Sequence, residues 1–190
     1  MENSNKRKVL LARYNMVPNL LWSIINLTPI CIFCFTLVKL KLIYIFLLIS
    51  FIPLFFKNSF IDKFQIAKSI EFYKKLGVHK INSVAQNGSI INKILKNKFP
   101  DHRIVVPNKS SISNLIAQTY IFEKFHLMTF LFFNAIIIYS LIYSYWYWAI
   151  IILLTNIAYN IYPNLLQQYI RIKLRIFNKK QKTKVNEHGF

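Results

Sequence analysis

The sequence predicts an all-α integral membrane protein with about four transmembrane helices, arranged as two hairpins with a cytoplasmic basic amphipathic segment between them. Three observations point there. Of 190 residues, 55% are hydrophobic and 16% aromatic, with only three glycines. The apolar residues gather in runs long enough to cross a bilayer core, which takes about 20 residues. The 25 basic residues, against six acidic ones, stand between those runs, as cytoplasmic flanks beside a bilayer do. The net charge of +19 is therefore read as attraction to anionic lipid headgroups, and nucleic acid is set aside as a partner.

Residues 1–16 form a basic flank with Lys6, Arg7, Lys8 and Arg13. The first hairpin takes residues 17–56. Its first span is expected over Val17–Val38, too long an apolar run for a cleaved signal and with no small-residue cleavage site behind it. Lys39 and Lys41 interrupt, and Leu42–Phe56 is short for a second crossing. It reaches across if the lysines snorkel, and is otherwise a re-entrant hairpin. Pro29 and Pro53 favour kinks. Cys31 and Cys34 sit three apart in this apolar stretch with no second Cys or His pair, so neither a disulfide framework nor a zinc site is expected.

Residues 57–124 are polar and basic. Phe60, Phe64, Ala67, Ile70, Tyr73 and Leu76 fall on one helical stripe that Gly77 can close, the pattern of a helix lying on an anionic leaflet. A weaker amphipathic segment follows at Ile90–Phe99. Pro100 and Pro107 bracket an extended DHRIVVP, and Ser110, Ser111 and Ser113 can cap the next helix. The second hairpin, residues 125–170, has no Lys, Arg, Asp or Glu, and the cluster Tyr143, Tyr145, Trp146, Tyr147 and Trp148 marks its turn at the far interface. Residues 171–190 are a basic tail. Four spans put 23 of the 25 basic residues on one side, so both termini and the middle segment are expected in the cytoplasm.

The last apolar run carries the candidate site. Asn156, Asn160, Asn164, Gln167, Gln168 and Arg171 recur at spacings of three and four, along one helix face. An unpartnered amide in hydrocarbon costs on the order of several kcal/mol, so this face should turn towards a partner helix, a wet cavity or a ligand. In the preceding span, Glu123 and His126 share a face with Asn134 deeper on the same side. Counted from a turn near Tyr145, His126 lies as deep as Asn164 and Asn134 as deep as Asn156. The two polar edges are thus expected to face each other and to gather Glu123, His126, Asn164, Gln167 and Arg171 near the cytoplasmic surface. A carboxylate beside an imidazole can orient it as a general base, which gives His126 and Glu123 catalytic roles. Glu-x-x-His is also half of a carboxylate-bridged metal site, but the second half is missing, and no metal or bound cofactor is expected.

Three stretches resemble the glycosyl-4,4'-diaponeurosporenoate acyltransferase family of small bacterial membrane proteins: EFYKKLGVHK at 71–80, QTYIFEKFH at 118–126 and YNIYPNLLQQYIRIKLR at 159–175. Where the family has Glu-Thr, this chain has Gln118-Thr119, and Tyr120 and Ile121 replace an expected Arg or Lys. The resemblance implies a protein of the bacterial cell membrane that moves a fatty acyl group from a thioester donor to a sugar hydroxyl of a glycosylated C30 carotenoid or similar glycolipid, the closing step of staphyloxanthin-type pigment synthesis. It carries over Glu123, His126, Pro163, Gln168, Tyr169 and Arg171. On that reading Arg171, with Lys173 or Arg175, holds the phosphates of an acyl-CoA co-substrate, while Asn156, Asn160, Asn164, Gln167, Gln168 and Tyr169 bind the acceptor. The rival reading is a non-enzymatic membrane scaffold or lipid-binding assembly protein whose polar stripe only packs helices.

Overall fold

The computed structural model describes residues 2–80 and 109–187, and no strand occurs among them. Helix α1 (Glu2–Leu37) runs through Pro18 and Pro29. It carries a first apolar stretch, Asn19–Leu37, of mean hydropathy 2.0. Helix α2 (Leu40–Ser50) and the 3₁₀ turn Ile52–Phe55, with Pro53 near its start, form the next apolar piece. The chain then turns by 100° into α3 (Asn58–Ile61) and the 3₁₀ turn Asp62–Phe64. Helix α4 is short (Ile70–Lys75). Ser69 caps it by accepting the Glu71 N–H at 3.2 Å.

Helix α5 (Lys109–Ile142) is the long central element. A tight turn with Ser144 at φ 61° leads into α6 (Trp146–Asn156), a π-helical turn (Ile157–Ile161) and α7 (Tyr162–Glu187). Three helices are long and apolar enough to cross a membrane, or four if the bent pair is counted as one span. Leu48, Phe55 and Ile142 are 75%, 85% and 71% exposed, which suits hydrocarbon and not water.

The π turn has a local cause. Pro163 has no N–H for the Tyr159 carbonyl one turn back, and its ring crowds that carbonyl in a regular helix. Widening the turn relieves the crowding, so that Tyr162 N–H bonds to Ile157 O instead.

Two apolar cores hold the bundle. Near the Ser144 turn, Ile30, Phe33 and Cys34 of α1 meet Phe133, Ile136 and Tyr139 of α5 and Ala149 and Ile152 of α6. Phe33 is fully buried and packs edge-on to Tyr139 and Tyr145. At the other end, Tyr73 and Val78 pack on Leu165, Leu166, Tyr169 and Ile172 of α7. Helices α1 and α2 pack on the second hairpin, against α6 and α5 respectively, more than on each other.

Two expectations are corrected. The stripe Phe60 to Leu76 is not one interfacial helix, because residues Gln65 to Ser69 leave the helix. Their backbone is satisfied by side chains: Gln168 Nε2 donates to Phe64 O at 3.1 Å, Gln168 Oε1 accepts from Ile66 N at 3.2 Å, and the Tyr73 hydroxyl accepts from Ala67 N at 3.2 Å. The third and fourth apolar helices also ignore the limits of the charge-free run. Helix α5 is already helical at Lys109, so Ser110, Ser111 and Ser113 lie inside it, and α7 continues past Ile170. Glu123 and Arg171 neutralise each other across the helices, so neither charge forces an end. Gly77 does close α4, at φ 76° with its N–H on Lys74 O at 3.0 Å. The amphipathic segment 90–99 and the extended 101–107 lie outside the described residues.

Candidate functional site

The polar edges of α5 and of the α6–α7 strand of helix face each other, and they carry two clusters of different character. The outer cluster is ionic. Arg171 is fully buried, and its Nη1 donates to Oε2 of Glu123, which is 1% exposed. Oε1 of Glu123 accepts from Gln168 Nε2 at 2.8 Å. Asp62, from the bent segment, lies 3.4 Å from Arg171 Nε and pairs with Arg175 Nη2 at 2.9 Å. Tyr120 joins from α5: its hydroxyl bonds to Asp62 at 2.9 Å and accepts from Arg175 Nη2 at 2.6 Å. Its ring lies 4.4 Å from the Arg171 guanidinium carbon, a cation–π contact.

Two carboxylates thus balance two guanidinium groups, which is how ions are tolerated at this depth. Gln168 ties the cluster to the outer segment. Its Oε1 accepts from the Tyr73 hydroxyl at 2.9 Å, and burial pushes that phenol above its usual pKa, keeping it a donor.

The inner cluster is neutral. Asn160, fully buried, donates from Nδ2 to Asn156 Oδ1 at 2.8 Å and accepts from the Thr129 hydroxyl of α5. Tyr159 reaches Ser23 of α1, oxygen to oxygen at 3.1 Å. His126 lies between the two clusters. Its ring meets Tyr159 edge-on at 6.0 Å between centroids and lies against Asn160 and the Tyr159 backbone. Because Pro163 withholds an N–H from the Tyr159 carbonyl, that carbonyl is free to face an imidazole. His126 Nδ1 is buried with no hydrogen-bond partner, and so is Asn164 Oδ1.

Of the residues singled out from sequence, Glu123, Gln168 and Arg171 are brought together directly, and Asn156 with Asn160 one level deeper. Tyr169 is buried in the outer apolar core, with the Lys173 ammonium 5.3 Å from its ring centre. Gln167 is half-buried and makes no hydrogen bond among the described residues. Asn134 bonds to its own helix, at Phe130 O, and not to Asn156.

Two assigned roles change. Glu123 does not hold the imidazole of His126, since both its oxygens are taken by Gln168 and Arg171. Arg171 and Arg175 do not stand open for phosphate, since their charge is matched by Glu123 and Asp62. Sequence reasoning missed Asp62, Tyr120, Tyr73 and Thr129. Asp62 left one signal, as one of only six acids in the chain and flanked by Phe60, Ile61 and Phe64.

This is a helical membrane protein whose polar interior, a balanced ionic cluster beside an imidazole and a row of amides, lies between two antiparallel helices. The chain belongs to the glycosyl-4,4'-diaponeurosporenoate acyltransferase family, whose model matches residues 57–180, well over half of its length. That makes it a member of an acyltransferase family named for a glycosylated carotenoid acceptor. The matched stretch contains every residue of the ionic cluster and both His126 and Asn164. No curated protein and no solved structure matches the chain.

Proposed function

We propose that this protein transfers a fatty acyl group from a thioester, with acyl-CoA as the donor, to a sugar hydroxyl of a glycosylated carotenoid in the bacterial cell membrane. Both termini and the residue 57–80 segment lie on the cytoplasmic side, where 17 of the 25 basic side chains then stand. The observation that carries the chemistry is the buried, unpartnered Nδ1 of His126. A neutral imidazole with its proton on Nε2 offers Nδ1 as an acceptor. In the reaction the sugar O–H donates its proton to Nδ1 while the oxygen attacks the thioester carbonyl carbon. The tetrahedral intermediate then breaks its C–S bond, the thiolate takes the proton back from the imidazolium, and an ester and a free thiol leave.

Glu123 acts one step away in this scheme. It fixes Arg171, whose buried Nη2 has no hydrogen-bond partner and is left as a cationic donor for the oxyanion. The donor phosphates fall to the exposed Lys173, Lys179 and Lys180, since the arginines are paired. The carotenoid tail stays among the apolar flanks of the helices while its sugar reaches His126.

The test is production of the acylated glycolipid, followed by mass spectrometry, in cells expressing the parent, His126→Ala or His126→Gln. Loss of a general base lowers the rate by about 100- to 10,000-fold. Parental yield from both variants would remove His126 from the reaction.

A further inference from the structure

The segment after the 100° bend faces two ways. Its inner side is fastened to the helix pair by side chains: Ile61 is fully buried, Asp62 holds the Tyr120 hydroxyl and Arg175 at 2.9 Å, and Gln168 of α7 holds Phe64 O and Ile66 N. Its outer side is apolar and basic. Phe60, Phe64 and Ile66 are exposed, Ile66 by 61%, and the rings of Phe56, Phe60 and Phe64 meet in series at 4.6 and 5.3 Å between centroids. Lys57, Lys63, Lys68 and Lys75 are exposed among them, with the Lys63 ammonium 5.7 Å from the Phe60 ring centre. The acids of the segment do not offset this charge, because Asp62 is turned inward and Glu71 is paired with Lys74 at 2.8 Å. Depth agrees with that composition. From Ile142, beside the aromatic turn, back to Glu123, α5 rises by roughly 29 Å at about 1.5 Å per residue, close to the roughly 30 Å of a bilayer's hydrocarbon. Tyr120, Asp62 and the bent segment therefore stand at the opposite boundary, where lipid phosphates begin.

We propose that the bent segment, residues 57–75, docks on anionic phospholipid headgroups of the leaflet at that boundary, and that Asp62 transmits the docking to the pair of Arg171 and Glu123. Phe60, Phe64 and Ile66 enter the outer acyl region while the lysines meet lipid phosphates. Asp62 is then held where it reaches Arg175 and, at 3.4 Å, Arg171 Nε. Arg171 keeps Glu123 whatever the lipid, but its second acid comes from a segment that the leaflet positions. The partner is lipid and not an acidic protein because the lysines are interleaved with aromatic rings, which a headgroup layer takes up together with the charge. The docking does not depend on acyl transfer.

The experiment places the intact protein in vesicles of phosphatidylcholine, alone or mixed with phosphatidylglycerol, and follows hydrogen exchange at backbone amides 57–69 together with the melting temperature. A lysine at an anionic surface is worth about fivefold in binding, so the mixed vesicles should slow exchange in the parent's segment by about tenfold or more. In Lys57→Gln/Lys63→Gln/Lys68→Gln the lipid effect should fall below about twofold. In Lys39→Gln/Lys41→Gln it should persist, because these lysines stand at the other boundary, where Leu37 O accepts from the Tyr139 hydroxyl. Asp62→Asn should keep the slowed exchange but lose most of the rise in melting temperature that phosphatidylglycerol gives the parent. Equal exchange of the parent in both vesicles, or an undiminished lipid effect in the triple variant, overturns the docking. A rise in Asp62→Asn equal to the parent's overturns the transmission through Asp62.

Discussion

The ionic cluster and the neutral layer one turn deeper lie on the same pair of helices, yet they treat their polar atoms differently. Around Glu123, side chains from three parts of the chain converge: Asp62 from the bend, Tyr120 from α5, and Gln168, Arg171 and Arg175 from α7. Around His126 and Asn164, acceptor atoms are buried and left open. A chain that matches charge to charge so closely at one level has the means to match an imidazole to an amide at the next. Arg171 Nε and Nη2 also lack hydrogen-bond partners, so the contrast is one of charge: ionic groups are matched at the outer level, and on the proposed reading the open acceptors of the inner level serve a substrate.

Each side of this contrast can be broken separately. The largest effect is expected at the buried pair: Arg171→Met or Glu123→Gln should lower stability by about 3–5 kcal/mol, because the remaining partner stays buried. The double variant Glu123→Leu/Arg171→Leu should lose less than the sum of Glu123→Leu and Arg171→Leu. Thermal unfolding in detergent measures all five, and additivity would mean the pair is not coupled. His126→Gln should do the opposite, removing activity by about 100-fold or more while the melting temperature stays within a degree or two of the parent, about the range of a surface change.

Smaller effects sharpen the boundary between the clusters. Asp62→Asn should cost about 1 kcal/mol, since Asp62 is part-exposed and its pairs are screened. Asn160→Ala should cost about 1 kcal/mol through the lost Thr129 and Asn156 bonds. Pro163→Ala is expected to leave stability within about 1 kcal/mol of the parent, or to raise it, as the Tyr159 carbonyl regains a donor. Product yield should still fall, because the Tyr159 carbonyl then takes the new residue's N–H and is withdrawn from the His126 ring. Unchanged yield would disconnect the wide turn from the reaction.

Much of the fold is legible in the amino-acid order. Long apolar runs mark the spans, and the period of Asn156, Asn160 and Asn164 turns that face towards α5, level with His126 as depth counting from Tyr145 requires. The bend after Phe56 is not legible, because Phe60 to Leu76 keeps helical spacing across residues that are not helical. Gln168 and Tyr73 decide the matter by taking the hydrogen bonds of Phe64, Ile66 and Ala67, and Gln168 lies about a hundred residues away. The ionic cluster is half legible for the same reason. Glu123 and Arg171 stand out as charges inside apolar helices, whereas Asp62 finds Tyr120 and Arg175 at separations of 58 and 113 residues, which no local pattern encodes. The pairing of Glu123 with Arg171 in place of His126 follows from charge. A guanidinium buried at that depth needs a carboxylate more than a neutral imidazole does.

The wide turn before Pro163 has a bearing on everything beyond it. At about 100° per residue in an unbroken α-helix, Gln168 would point about 120°, and Arg171 about 60°, around the axis from Asn156. The surplus residue of a π turn winds the remainder of the helix back by roughly that much, so that amides before it and charges after it look in one direction. The amide row and the ionic cluster are therefore phased by a single wide turn, and drawing that turn into a regular α-helix at unchanged length would swing Gln168 and Arg171 by about 100° around the axis.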